Sequence, residues 1–209
     1  AGLSLKWLRD TCCKQEVDEA EKQGIDPYII MDKLAENVKP GAGGLLYLPY
    51  LMGERSPHPD PDCRGVFFGL SAVHDRTNMI RAVLEGVVYS QLECVDVFRE
   101  MGVNIDDMMA CGGGGRSPLW RQMLADMYGV PVSTIKADEG PALGVAILAG
   151  VGAGIYPSVE EACDKIIEKN KTQEPIQENH DAYMGYYELY KKLYRDLFDD
   201  FKMLAKLDK

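Results

Sequence analysis

Two successive strand–turn–helix units between positions 105 and 151 constrain this chain more than any other feature of its sequence. Residues 105–111 read as a strand, 112–115 as a glycine turn, and 117–128 as a helix closed by Gly129. Residues 130–135 read as a second strand and 141–151 as a helix of small residues. Such alternation covers a mainly parallel sheet with helices, so an α/β architecture is predicted.

The flanks fit around that unit. The first 38 residues read as helical, with Asp26-Pro27 opening a new helix, and 40–44 as a glycine turn. Residues 45–51 and 65–70 read as short strands on either side of a proline-rich loop. A long helix is predicted over 78–101, stopped by Gly102, where apolar residues recur at three-to-four spacing. Residues 159–169 read as a short charged helix and 170–179 as a polar linker. The chain ends in a long helix whose Tyr183, Tyr187, Tyr190, Tyr194, Leu197, Phe201 and Leu204 form a packing stripe. The expected organisation is therefore one domain over 1–170, with 171–209 as a helical extension packed on it.

Charge and cysteine usage narrow the function classes. A net charge of −10 argues against a nucleic-acid groove, which needs clustered Lys and Arg. No apolar run reaches the length of a membrane span, and the N-terminal residues do not read as a signal peptide, so a cytoplasmic location and no membrane partner are expected. The six cysteines follow neither a CxxC pattern nor a regular framework, and read as reduced thiols.

Three segments hold the residue types that chemistry uses. Gly112-Gly113-Gly114-Gly115 lies between a strand and a helix, with Ser117 placed as N-cap and Pro118 in the first turn. Glycines there either let backbone N–H groups approach a ligand or simply satisfy a tight turn; the pattern leaves both readings open. It is no Walker A loop, since no Lys-Ser or Lys-Thr follows. The 140–150 helix carries Gly and Ala on one side, which favours close packing over ligand contact. The loop Gly53-Glu54-Arg55-Ser56-Pro57-His58-Pro59-Asp60-Pro61-Asp62 contains an acid, a base and a histidine. Its alternating prolines hold it extended, which disfavours a metal site and favours a loop or substrate-side lip. His74 and His180 read as surface or capping residues.

The stretch Gly65-Val66-Phe67-Phe68-Gly69-Leu70, then Asn78-Met79 and Ala82-Val83-Leu84-Glu85, resembles the second signature of the FGGY carbohydrate kinases at every position. The run from Leu48 to His58, Asp62-Cys63-Arg64-Gly65, and the run from Trp120 to Asp126 resemble the xylulose kinase branch. Gluconate kinases share Gly-Glu-Arg-Ser-Pro and usually lack the following histidine.

This resemblance implies a C-terminal domain of the ribonuclease H-like, actin-like ATPase fold, the side of these kinases that holds ATP and its Mg²⁺. It implies Gly2, Lys6, Gly113 and Ser117 as nucleotide contacts, by correspondence with glycerol kinases, which carry an amide where Lys6 and Ser117 stand. The family's catalytic aspartate, most sugar contacts and an initial strand hairpin with a Gly-Thr phosphate contact belong to sequence upstream of this chain. No catalytic residue and no protein-held metal are therefore expected here. The implied whole enzyme phosphorylates D-xylulose to D-xylulose 5-phosphate, and this chain alone is expected to be inactive. Its partners would be sugar, ATP and its own N-terminal domain. An exposed sheet edge or apolar face would favour a homodimer or other self-association. Alternatives are a gluconate or other FGGY sugar kinase, and a non-catalytic actin-like nucleotide-binding module. A dinucleotide-binding module is disfavoured, because Asp138 follows the wrong side of the second strand.

Overall fold

A computed structural model describes residues 2–136 and 140–207. The first 36 residues form three helices, α1 (Gly2–Cys12), α2 (Lys14–Gln23) and α3 (Pro27–Glu36). Gly24, in the left-handed region at φ 65°, stops α2. Asp26 caps α3 by accepting from the Tyr28 N–H at 2.9 Å, and Pro27 occupies the first helical position.

Strands β1 (Leu46–Leu48) and β2 (Val66–Phe68) pair antiparallel, with Tyr47 opposite Phe67. Helix α4 (Arg76–Glu100) lies against β1 and is the centre of the core. Its start is a capping box, in which Asp75 accepts from the Thr77 and Asn78 N–H groups and the Asn78 side chain accepts from the Asp75 N–H. Gly86 sets the distance between α4 and β1, because a Cβ there would fall 2.1 Å from the Tyr47 carbonyl oxygen.

The signature region between 65 and 85 thus does structural work. The Asn78 amide donates to the Ala42 carbonyl at 3.2 Å, and Glu85 accepts from the Gly41 N–H at 3.1 Å. Both tie α4 to the glycine turn before β1.

A second sheet contains β3 (Met108–Met109), β4 (Val132–Ile135) and β5 (Lys169–Gln173), in that order. β3 and β4 are parallel, joined through α5 (Gly112–Arg116) and α6 (Pro118–Tyr128). β5 runs antiparallel on the far side of β4, so the expected polar linker is partly an edge strand that crosses position 170. Four of its five residues face solvent, so it carries no alternating apolar signal. The glycine run is a helical turn rather than an irregular one, although glycine is a poor helix former.

Helix α7 (Pro141–Gly152) packs on α8 (Val159–Ile166). Close packing through a small residue occurs at Gly150, whose Cβ would meet the Tyr156 ring at 2.9 Å. The opposite side leaves Val145 and Leu148 66% and 61% exposed.

Helix α9 (Gln177–Leu207) lays its aromatic stripe on β1, α4 and α6. Each buried hydroxyl meets a polar partner: Tyr183 accepts from Arg81, Tyr190 bonds Tyr50 at 2.9 Å, Tyr187 donates to Asp96, and Tyr194 donates to Asp60. Among the described residues no helix is long and apolar enough to cross a membrane.

Candidate nucleotide site

The start of α1, helix α3, and the α5–α6 corner enclose a cleft of about 660 Å³. Gly2, Gly113 and Ser117 all line it, so three of the four residues singled out from the sequence meet in one place. Lys6 stands one turn beyond Gly2 on the same side of α1, is exposed, and is not among the lining residues.

The four glycines at the corner have different reasons to be glycine. A Cβ on Gly115 would lie 2.7 Å from the Ala110 carbonyl oxygen, so that position is needed for α5 to seat on β3. A Cβ on Gly114 would press on the Trp120 ring at 3.0 Å. Gly112 has φ 72°, a conformation that side chains disfavour. Gly113 has ordinary φ and open space where its Cβ would be. The fold itself does not require glycine at 113, whereas a ligand approaching the backbone would.

Ser117 caps α6 by accepting from the Trp120 N–H at 3.0 Å, and Pro118 fills the first helical position. Asp32 lines the same cleft. Burial pushes its carboxyl above the ordinary range; the nearby Ser117 hydroxyl opposes the rise, and Asp26 and Glu36 add to it. Tyr28, Leu119 and Trp120 supply apolar wall, while Lys33 and Arg116 are exposed at the rim. Apolar walls with a few convergent polar groups fit a planar, polar-edged ligand.

Asp32 and its neighbours had no sequence signal. Met31 and Ala35 carry the buried side of α3, and an acid between them reads as solvated surface. Only the tertiary approach of α6 turns Asp32 inward. Asp138, weighed for a dinucleotide site, lies outside the described residues.

The proline-rich loop is held elsewhere, and none of its residues lines this cleft. His58 Nε2 lies 2.9 Å from Glu93 Oε1, and its ring stacks on Tyr194 at 4.0 Å between centroids. Buried Asp60 accepts from the Asp62 and Cys63 N–H groups and from Tyr194. These partners turn the two side chains toward α4 and α9 rather than toward a shared ion. Among the described residues no group of three metal-capable side chains gathers. His74 accepts from the Ser71 N–H through Nδ1, so its Nε2 carries the proton donated to the Gly43 carbonyl at 3.0 Å. His180 Nδ1 meets the Asp126 carbonyl at 2.8 Å, fastening α9 to α6.

Comparison with known proteins places the chain in a family. The model of the FGGY family of carbohydrate kinases, C-terminal domain, matches residues 1–153. A xylulose kinase of Staphylococcus epidermidis is 38% identical over 91% of this chain and 36% of its own length. A gluconokinase of Bacillus licheniformis is 37% identical over all of this chain and 40% of its own. The chain thus spans little more than a third of the relatives it matches. The solved xylulose kinase of Lactobacillus acidophilus superposes with a TM-score of 0.85 at 25% identity, over 98% of this chain and 39% of that one. The Plasmodium falciparum glycerol kinase solved with ADP superposes at 0.73 and 21% identity over 93% of this chain and 36% of that one, a likeness of fold. This chain belongs to the FGGY family of carbohydrate kinases, and its fold is that of the ribonuclease H-like, actin-like ATPases.

Proposed function

We propose that this chain is the nucleotide-holding side of an ATP-dependent sugar kinase whose substrate is D-xylulose. The observation that carries the reading is the meeting of Gly2, Gly113 and Ser117 on one cleft with a glycine the fold does not itself require. The glycine corner offers backbone approach, the walls offer an apolar slot, and the rim cations suit phosphate. Gly113 and Ser117 would orient the nucleotide, and Lys6 would reach it only by extending past the end of α1.

Phosphoryl transfer needs a base at the sugar hydroxyl and the γ-phosphate aligned with it. In this reading the base is an aspartate of the enzyme's N-terminal domain, which is the principal partner of this chain. Mg²⁺ takes most of its ligands from substrate phosphates and water, with one or two carboxylates beside them. It would arrive on the nucleotide's own phosphates.

Gluconate is the second substrate reading, favoured by the gluconokinase relative that aligns over the entire chain at nearly the same identity. The histidine at 58 that follows Gly-Glu-Arg-Ser-Pro supports xylulose, because that residue marks the xylulose kinase pattern. A cytoplasmic setting is supported by six unpaired cysteines. A substrate panel on the full-length enzyme tests the assignment: xylulose-dependent ADP release is expected, and faster release with gluconate would reverse it.

A further inference from the structure

We propose that Arg121 draws the nucleotide's phosphates to the glycine corner by its charge, from behind the corner and without touching them. This inference rests on the cleft being a nucleotide site. Among the described residues two cations are buried, Arg81 and Arg121, and they are partnered differently. Arg81 has Glu85 at 2.6 Å. Arg121 is 3% exposed, and both of its side-chain partners are neutral. Its Nε donates to Gln173 Oε1 at 2.9 Å, and its Nη1 donates to the Gly115 carbonyl at 2.5 Å. The buried acid of the same helix, Asp126, is taken instead by Gln122, Asn179 and the Ile176 N–H. Burial alone moves the Arg121 pKa, and moves it down, as expected of a cation without a counter-charge.

Hydrogen bonding does not by itself call for a cation at this place. The last carbonyls of a helix lack partners within it, and a neutral amide could serve the Gly115 carbonyl near the end of α5. A guanidinium adds a full charge that it does not give up. Burying that charge with no opposite charge beside it is costly to the fold. An anion bound close by would offset the cost.

The cleft is where such an anion can sit. Gly114 and Gly113, one and two residues before the carbonyl that Arg121 holds, both line it. Arg121 is not among the lining residues, so it is a positioning residue that acts across the corner. Its pull is weakened little on the way, because protein rather than water lies between. Lys33 and Arg116 at the rim are exposed and screened by salt, whereas a buried charge is screened much less. On the opposite side, Asp26, Asp32 and Glu36 line the cleft along α3 and repel phosphate. Both effects send the phosphates to the glycine corner.

Calorimetric titration of the chain with ADP and with adenosine, in metal-free buffer at neutral pH, tests this. Gln173→Glu keeps the acceptor for Arg121 Nε and sets a carboxylate against the guanidinium, so it cancels the charge without removing the contact. ADP should bind the unaltered chain at least about tenfold tighter than adenosine. In Gln173→Glu that preference should fall at least about fivefold, with adenosine affinity within about twofold and no drop in the thermal midpoint. Arg121→Gln, neutral and still a donor, should lose the preference likewise, and Arg121→Lys should keep it. A merely structural role predicts no loss in Gln173→Glu, because a paired cation holds the corner more firmly. An undiminished preference in folded Gln173→Glu and Arg121→Gln chains, or equal losses for ADP and adenosine, would overturn the inference. Loss of the preference in a folded Arg121→Lys chain would overturn it too. Equal binding of ADP and adenosine by the unaltered chain would overturn it while leaving the site standing. Binding of neither would overturn the site itself, and the inference with it.

Discussion

Arg81 Nε lies 2.6 Å from Glu85 Oε1, one turn along α4, and both side chains are buried. Arg81 also donates to the Ala35 carbonyl and the Tyr183 hydroxyl, so one guanidinium joins α3, α4 and α9. Glu85 belongs to the family signature, and its partners show that it serves the fold. Glu85→Ala leaves a buried cation without its partner, and a loss of about 3–5 kcal/mol in denaturant unfolding is expected.

The same carboxyl gives a pH dependence. Burial pushes Glu85 up to about 7, against the opposing pull of Arg81. A carboxyl raised in the folded state binds its proton more tightly there than in the unfolded chain. Its contribution to stability is therefore full below about pH 4.5 and lost as pH rises through about 7. Glu85→Gln removes that titration. Its stability relative to the unaltered chain should rise between those pH values, by roughly 1–4 kcal/mol, in paired denaturant melts. A flat difference would contradict this assignment.

Gly113 and Gly115 should separate ligand from fold. Gly115→Ala sets a Cβ 2.7 Å from the Ala110 carbonyl, and a loss of about 1–3 kcal/mol is expected. Gly113→Val has open space, and its thermal midpoint should stay within a few degrees of the unaltered chain.

The terminal helix should prove inseparable from the body. Removing residues 171–209 uncovers Tyr50 and Tyr89, which pack on Tyr190, Tyr187 and Tyr183. It also cuts β5, whose residues run from Lys169 to Gln173. The shortened chain should lose its near-ultraviolet dichroism and its cooperative melt. A cooperative transition near that of the whole chain would show that the helix is an appendage.

The exposed side of α7 predicts self-association of the isolated chain, because Val145 and Leu148 form part of an uncovered apolar surface. Sedimentation should show concentration-dependent oligomers that Val145→Glu with Leu148→Glu abolishes. A strict monomer across concentration would contradict this.

Much of the architecture was legible because the strongest elements carry local signals. Pro27, Gly102 and Gly129 mark helix ends through backbone conformations that depend only on neighbours along the chain, whereas the Asp75 cap, which starts α4 two residues before the expected position 78, was not read. The tyrosine stripe of α9 was readable from its spacing, although the matching of each hydroxyl to Arg81, Tyr50, Asp96 or Asp60 required the folded structure. β5 was hidden because its exposed polar residues pair through backbone alone. At the site, Gly113 and Ser117 stood out through the glycine run and the cap pattern. Asp32 did not, since its role arises from the approach of α6 to α3, which no spacing within α3 records.

The central claim is that the cleft at the α5–α6 corner holds a nucleotide. Its most direct test is calorimetric titration of ADP into the unaltered chain and into Gly113→Val, with thermal melts of both. Saturable one-to-one binding by the unaltered chain and at least about tenfold weaker binding by the variant are expected, at closely similar melting temperatures. Equal ADP binding by the two chains, or none by the unaltered one, would contradict it.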